Sequence, residues 1–325
     1  NDLENSDTSS ATSHCPRMRD LLIISIVAVA AVLALRRPWV GVLLWTWLSI
    51  MNPHRFAWGI AYSAPLAAIA AGCTLVGLIF TRERQSPFQG PPVTIFVMLA
   101  LWITVSWLLG VDVDGDYPQW TKVMKIYFMT LVALCLLRTK QQIVAFAWVT
   151  TGSLALLGAK GGLFTILTGG SYRVWGPPES FIADNNEFAL SLIMAIPLMY
   201  FLLQQLTKRW QKHIMAATML LCVAAAAGSQ SRGALVAIVG MGSVFWWRSR
   251  NKLTVAVIIC LLSVFALPLM PETWWTRMST IQNYEQDASA IGRLNGWYVA
   301  WEVAKNHFFG GGMSYQHQGF FTLYG

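Results

Sequence analysis

Residues 214–247 read IMAATMLLCVAAAAGSQSRGALVAIVGMGSVFWW, and the reading of this stretch decides the fold. Two apolar runs, 214–227 and 234–247, are separated only by Gly228, Ser229, Gln230, Ser231, Arg232 and Gly233. Each run satisfies its own backbone as a helix, and the turn between them is too short to hold a soluble element. A guanidinium at the mouth of two lipid-compatible helices costs several kcal/mol, of order 3, unless an anion or a water-filled cavity meets it. Arg232 therefore marks a candidate functional site. The competing reading is a boundary residue that snorkels to the headgroups.

The same pattern repeats outward from this pair. Apolar runs occur at 21–35, 39–50, 64–81, 93–110, 123–137, 143–167, 188–206, 214–227, 234–247 and 253–270. Several are shorter than the roughly 20 residues of an untilted crossing, so nine or ten spans are expected. Hydrophobic residues make up 55% of the 325 and charged residues only 12%, with a mean hydropathy of +0.50, whereas a soluble domain carries about 25% charged residues. The expected fold is all-α: a polytopic integral membrane helix bundle with an outer, periplasmic amphipathic helical segment. Residues 1–20 are expected to be a disordered tail, 21–270 the bundle, and 271–325 a periplasmic segment followed by further spans.

Charge gives the orientation. The net charge of +8 falls in short clusters between apolar runs and forms no basic face, which speaks against nucleic acid. Arg36 with Arg37, Arg82 with Arg84, Arg138 with Lys140, Lys208 with Arg209 and Lys212, and Arg248 with Arg250 and Lys252 alternate with loops that lack them. By the positive-inside rule the basic loops are cytoplasmic. The opposite loops, 52–63, 111–120, 168–186, 228–233 and everything after Pro271, then share the outer side, where the unusual residues collect. The first two apolar runs are either two crossings or one crossing and an interfacial piece.

Within the outer loop 168–186, Gly169, Gly170, Gly176, Pro177 and Pro178 impose an irregular backbone, and Asp184 or Asn185 can cap the helix that follows. A helix N-terminus beside Arg173, with Asn186 in its first turn, is a ready anion site. The alternative is an Asx-capped turn with Arg173 paired to Glu179 or Asp184. Lys160 lies in an apolar run and needs a partner, either a ligand phosphate or an acid such as Asp184. Lys122 and Lys125 carry the same ambiguity near the interface. Asp112, Asp114 and Asp116 are expected to be solvated carboxylates rather than cation ligands.

After Pro271 the chain becomes amphipathic. Arg293, Trp297 and Trp301 share one face of a helix that Gly310, Gly311 and Gly312 terminate, a spacing suited to a bilayer surface with the guanidinium turned toward phosphate. Trp274 and Trp275 are expected in an aromatic belt. There is no Gly-rich nucleotide loop, no acidic pair placed as a metal site and no metal-ligand spacing among the five cysteines, so neither metal nor cofactor is expected.

Three pieces carry a family resemblance: Ser231-Arg232-Gly233-Ala234 opening a span, Gly292-Arg293 to Trp297 leading to His307 and the triple glycine, and Arg173-Val174-Trp175-Gly176-Pro177-Pro178 leading to Asp184-Asn185-Asn186. With these the chain resembles the O-antigen ligase and O-antigen polymerase superfamily of bacterial inner-membrane glycosyltransferases. Trp45-Thr46-Trp47 and Asn52-Pro53-His54-Arg55 look like the O-glycosylation ligases of exopolysaccharide loci. The resemblance implies a multi-pass enzyme of the bacterial inner membrane, with its active site facing the periplasm and membrane lipids around it. Its implied reaction moves a glycan from undecaprenyl pyrophosphate to an acceptor, lipid A-core in the ligases. By the same carry-over Arg232, Arg293 and Arg173 hold the donor pyrophosphate, with Lys160, Asn186, Lys125 and His307 as secondary positions.

The family's catalytic histidine stands in a His-Ser/Asn-x-Tyr motif that neither His307 nor His317 matches, so the general base is expected beyond Gly325. A polymerase and a protein O-glycosylation ligase remain alternatives within the enzyme class. A transporter of an anionic or lipid-linked substrate is the alternative outside it, and would need access from both sides.

Overall fold

In the computed structural model, residues 7–57, 59–88, 90–266, 270–279, 288–313 and 318–324 are described, and all regular structure among them is helical. The chain divides into two units. The first, residues 1–81 and 139–279, holds α1 (Asp7–Arg36), α2 (Pro38–Met51), a short 3-10 turn (Pro53–Phe56), α3 (Ile60–Ser63) and α4 (Leu66–Phe80). The second, residues 82–138 and 280–325, holds α5 (Pro91–Leu108) and α6 (Val113–Leu136). The chain returns to the first unit for α7 (Lys140–Leu167), α8 (Asn185–Gln205), α9 (Arg209–Gly228), α10 (Arg232–Arg248), α11 (Lys252–Ala266) and α12 (Glu272–Ser279). It ends in the second with α13 (Ala288–Asn306) and α14 (Gln318–Tyr324).

The protein is an all-α polytopic membrane bundle. Five helices are long and apolar enough to cross a membrane by length and composition: 18–36 within α1, then α5, α7, α8 and α9. The helices α2 and α4 and the first part of α11 are apolar but shorter. The outward faces of α7, α8 and α10 carry Leu156, Leu163, Leu190, Met194 and Val236, all more than half exposed, a surface that acyl chains cover. The helix α1 begins at Asp7, and its apolar, span-length part begins at Met18. The first two apolar runs are two antiparallel helices joined at Arg37, a turn whose single non-helical residue sends α2 back along α1.

The tightest pair in the first unit is α7 against α9. Lipid offers no hydrophobic drive for helix association, so small residues that let backbones approach set the contact. Gly158 faces Cys222 and Leu192, Gly161 faces Ala225 and Val174, and Gly162 lies directly against the Leu221 carbonyl. Around this seam Phe188, Leu192, Met199 and Leu202 of α8 bury almost completely and complete the core.

One end of the first unit collects the irregular segments. Asn52 donates to the Pro178 carbonyl at 3.2 Å, Arg55 pairs with Glu179 at 2.8 Å, and Tyr62 donates to the same carboxylate at 3.0 Å. Asp20 of α1 packs against Gly59, which puts the start of the first span at this end as well. The basic residues Arg36, Arg37, Lys140, Lys208 and Arg248 lie at the opposite helix ends.

Candidate functional site

The site grows from the turn between α9 and α10. A helix C-terminus leaves its last carbonyls without partners, and in an apolar setting each must find a donor. Here every one does. Ser229 Oγ donates to Ala226 O at 2.6 Å, Trp274 Nε1 to Ala227 O at 3.3 Å, Val174 N to Gly228 O at 3.1 Å and Asn185 Nδ2 to Ser229 O at 2.8 Å. The negative end of α9 is thus spent on protein donors. What the end of the bundle presents instead is the positive ends of its neighbours.

Those are α8 and α10, and one hydrogen bond joins their starts. Asp184 caps α8 by accepting from Asn186 N at 2.8 Å, and Ser231 caps α10 by accepting from Ala234 N at 3.2 Å. Ser231 Oγ also donates to Asn186 Oδ1 at 2.6 Å, while Asn186 Nδ2 donates back to Asp184 at 2.9 Å. Two first turns with like-signed dipoles therefore sit side by side, an arrangement that favours an anion. Arg232 is the first residue of α10 and is half-buried there.

Arg173 stands on the adjoining loop. Its Nε donates to Gln230 Oε1 at 3.4 Å, and Gln230 Nε2 donates to Gly170 O at 3.1 Å. Gln230 adopts φ +53° and is almost fully buried, so this amide holds the loop and the turn together from inside. The alternative pairing of Arg173 with Glu179 or Asp184 is not what forms. Glu179 is taken by Arg55 and Tyr62, and Asp184 by the cap.

Lys160 is exposed near the end of α7, its Nζ 5.4 Å from the centre of the Phe56 ring. A cation over an aromatic face is a third solution beside the acid and the phosphate considered from sequence. Close by, burial and the adjacent Arg55 hold the His54 imidazole below its ordinary value of 6.5 against the opposing pull of Glu179, so it is neutral at pH 7. Trp274 corrects the belt expectation: it is buried as a donor to α9, whereas Trp275 remains half-exposed.

The second unit carries the remaining expected residues. Arg293, Trp297 and Trp301 lie on one exposed face of α13, opposite the buried Val299 and Val303. His307 follows that helix with its ring edge-on to Phe320, and Lys125 is exposed on α6. His317 lies outside the described residues. The acidic loop departs from expectation. Asp112 caps α6 through Gly115 N at 2.9 Å, and Asp116 is 1% exposed, accepting from Met313 N at 2.6 Å beside Gly312. Gly310 at φ +86° and Gly312 at φ +102° supply the left-handed turns that bring that amide back to the carboxylate.

Residues 18–207 match the family of unknown function DUF5935, and residues 217–324 match O-antigen ligase. The chain belongs to DUF5935 and to the O-antigen ligase superfamily. No curated protein and no solved structure matches it. The ligase-family stretch contains Arg232, Arg293 and His307, while the DUF5935 stretch contains Arg173, Lys160, Asn186 and Lys125. The α8 and α10 starts thus come from different family segments of this superfamily member.

Sequence reasoning singled out the arginines but gave no role to Gln230 or Tyr62, read Asn185 only as a possible cap and named Arg55 only within a motif. A glutamine between two serines in a tight turn was a readable signal for a left-handed position that needs internal hydrogen bonds. The Arg55–Glu179 pair joins residues far apart in the chain, so no local pattern announces it. Asn185→Ala in this ligase-superfamily chain is expected to strand the Ser229 carbonyl and cost about 1–3 kcal/mol of stability, read as a lowered unfolding temperature in detergent. Asn186→Ala leaves that carbonyl satisfied and should cost less; equal losses would remove the buried amide from its proposed role.

Proposed function

We propose that the protein transfers a glycan from undecaprenyl pyrophosphate to lipid A-core on the periplasmic face of the bacterial inner membrane. Membership of the O-antigen ligase superfamily supports a membrane glycosyltransferase of the ligase or polymerase type. The observation that carries the donor assignment is the Ser231–Asn186 bond, which sets the starts of α8 and α10 side by side with Arg232 in the first turn. In glycosyl transfer to an acceptor hydroxyl, the bond from the anomeric carbon to the pyrophosphate oxygen breaks as the acceptor oxygen bonds to that carbon. The leaving pyrophosphate gains charge as it departs. Fixed amide dipoles and guanidiniums stabilise that charge without having to reorganise.

In this reading Arg232 and the two helix starts hold the pyrophosphate, Arg173 assists from its Gln230 anchor, and Lys160 and Asn186 take secondary places in the same unit. The donor roles of Arg293, Lys125 and His307, which lie in the second unit, rest on the family resemblance alone. Purified protein given a polyprenyl-pyrophosphate glycan and lipid A-core, with chelator and without nucleotide, is expected to form glycosylated acceptor. Turnover that required a divalent metal or a nucleotide sugar would replace this donor chemistry with another.

A further inference from the structure

At the end of the first unit opposite the candidate site, α8, α10 and α11 border a partly open cavity of about 800 Å³. That is within the range of small-molecule sites, roughly 300–1,000 Å³. Its walls are apolar, with Val244 and Phe245 from α10, Tyr200 from α8 and Val255 from α11, and Tyr200 meets Phe245 edge-on at 5.7 Å. Its rim is cationic, formed by Arg248 and Arg250 where α10 gives way to α11. No carboxylate occurs among the described residues that line it. The wall from Met241 to Arg248 runs seven residues along one helix, or about 10 Å.

The occupant must match three features at once: an anionic end between two exposed guanidiniums, an apolar body long enough to follow about 10 Å of helix, and access from the membrane at its basic end. A soluble anion meets only the first. An acyl chain without a charged head meets only the second. We propose that this cavity binds an anionic phospholipid of the inner leaflet, its phosphate between Arg248 and Arg250 and one acyl chain along Val244, Phe245 and Tyr200. Basic pockets between spans on the cytoplasmic side recognise lipid headgroups in this way, and the apolar wall adds chain burial to the charge attraction.

The test measures phosphatidylglycerol retained by the purified protein from nanodiscs of phosphatidylcholine doped with phosphatidylglycerol, read by native mass spectrometry. Wild type is expected to retain phosphatidylglycerol over phosphatidylcholine. Arg248→Gln with Arg250→Gln should weaken that retention roughly 25-fold, from about fivefold for each charge near the surface. Val255→Trp, which fills the cavity and keeps both charges, should weaken it as well. Arg209→Gln with Lys212→Gln, removing the same charge from another basic loop, should leave it unchanged. Equal loss from the two double variants would reduce the effect to general surface charge and overturn the proposal. Unchanged retention by Val255→Trp, or full displacement by soluble glycerol phosphate, would overturn it from the side of the apolar wall. Unfolding temperatures measured on each variant in detergent ensure that every comparison is made on folded protein.

Discussion

Arg232→Ala and Arg293→Ala are each expected to abolish attachment of glycan to lipid A-core while the protein still inserts at wild-type abundance. A guanidinium that meets a pyrophosphate through its fork makes two charge-assisted hydrogen bonds, each worth about 1.5–3 kcal/mol. Losing both lowers the rate by roughly 10²- to 10⁴-fold, which a gel of lipopolysaccharide shows as loss of the ladder. Lysine in either place supplies charge without the planar fork and should restore only part of the activity. Arg173→Ala should fall between these variants and wild type, because its Nε is already committed to Gln230 and Glu179 does not hold it. Wild-type ladders from both alanine variants would leave Arg232 as a boundary residue and end the pyrophosphate assignment.

Gly162→Val is expected to have the largest effect on folding. A Cβ at Gly162 meets the Leu221 carbonyl oxygen, with the Leu221 carbonyl carbon and Cα both at 2.8 Å, so the obstacle is backbone and cannot rotate away. Overpacking of a tight core costs about 1–3 kcal/mol, and here the branched side chain wedges apart the most extensive helix pair of the unit. Loss of membrane abundance together with a lower unfolding temperature would show it. Gly152→Ala, on the same helix with open space at its Cβ, should leave both unchanged. If Gly162→Val matched Gly152→Ala, the α7–α9 seam would not be the close contact described.

The two variants test different kinds of legibility. Arg232 stood out because a charge between two apolar runs violates the pattern around it, and such violations are local. Gly162 did not. Its neighbours on both sides are also small or apolar, and only the approach of α9 makes its missing Cβ matter. Asp184 as the α8 cap was readable for the same local reason, since a cap acts within the first turn that follows it. Asp116 misled for the opposite reason. Three alternating carboxylates look solvated until a glycine turn from almost two hundred residues later brings the Met313 amide onto one of them.

The amino-acid sequence determined the all-helical membrane fold, the alternation of basic and irregular loops and the singling out of Arg173 and Arg232, which share one end of the first unit. Each of these follows from length, hydropathy and charge summed along a single segment. Tertiary structure alone decided that Glu179 pairs with Arg55, that Gln230 anchors Arg173, and that Trp274, Val174 and Asn185 occupy the carbonyls at the end of α9. A buried polar group is obliged to find some partner, and which one it finds depends on segments that meet only after the helices have packed.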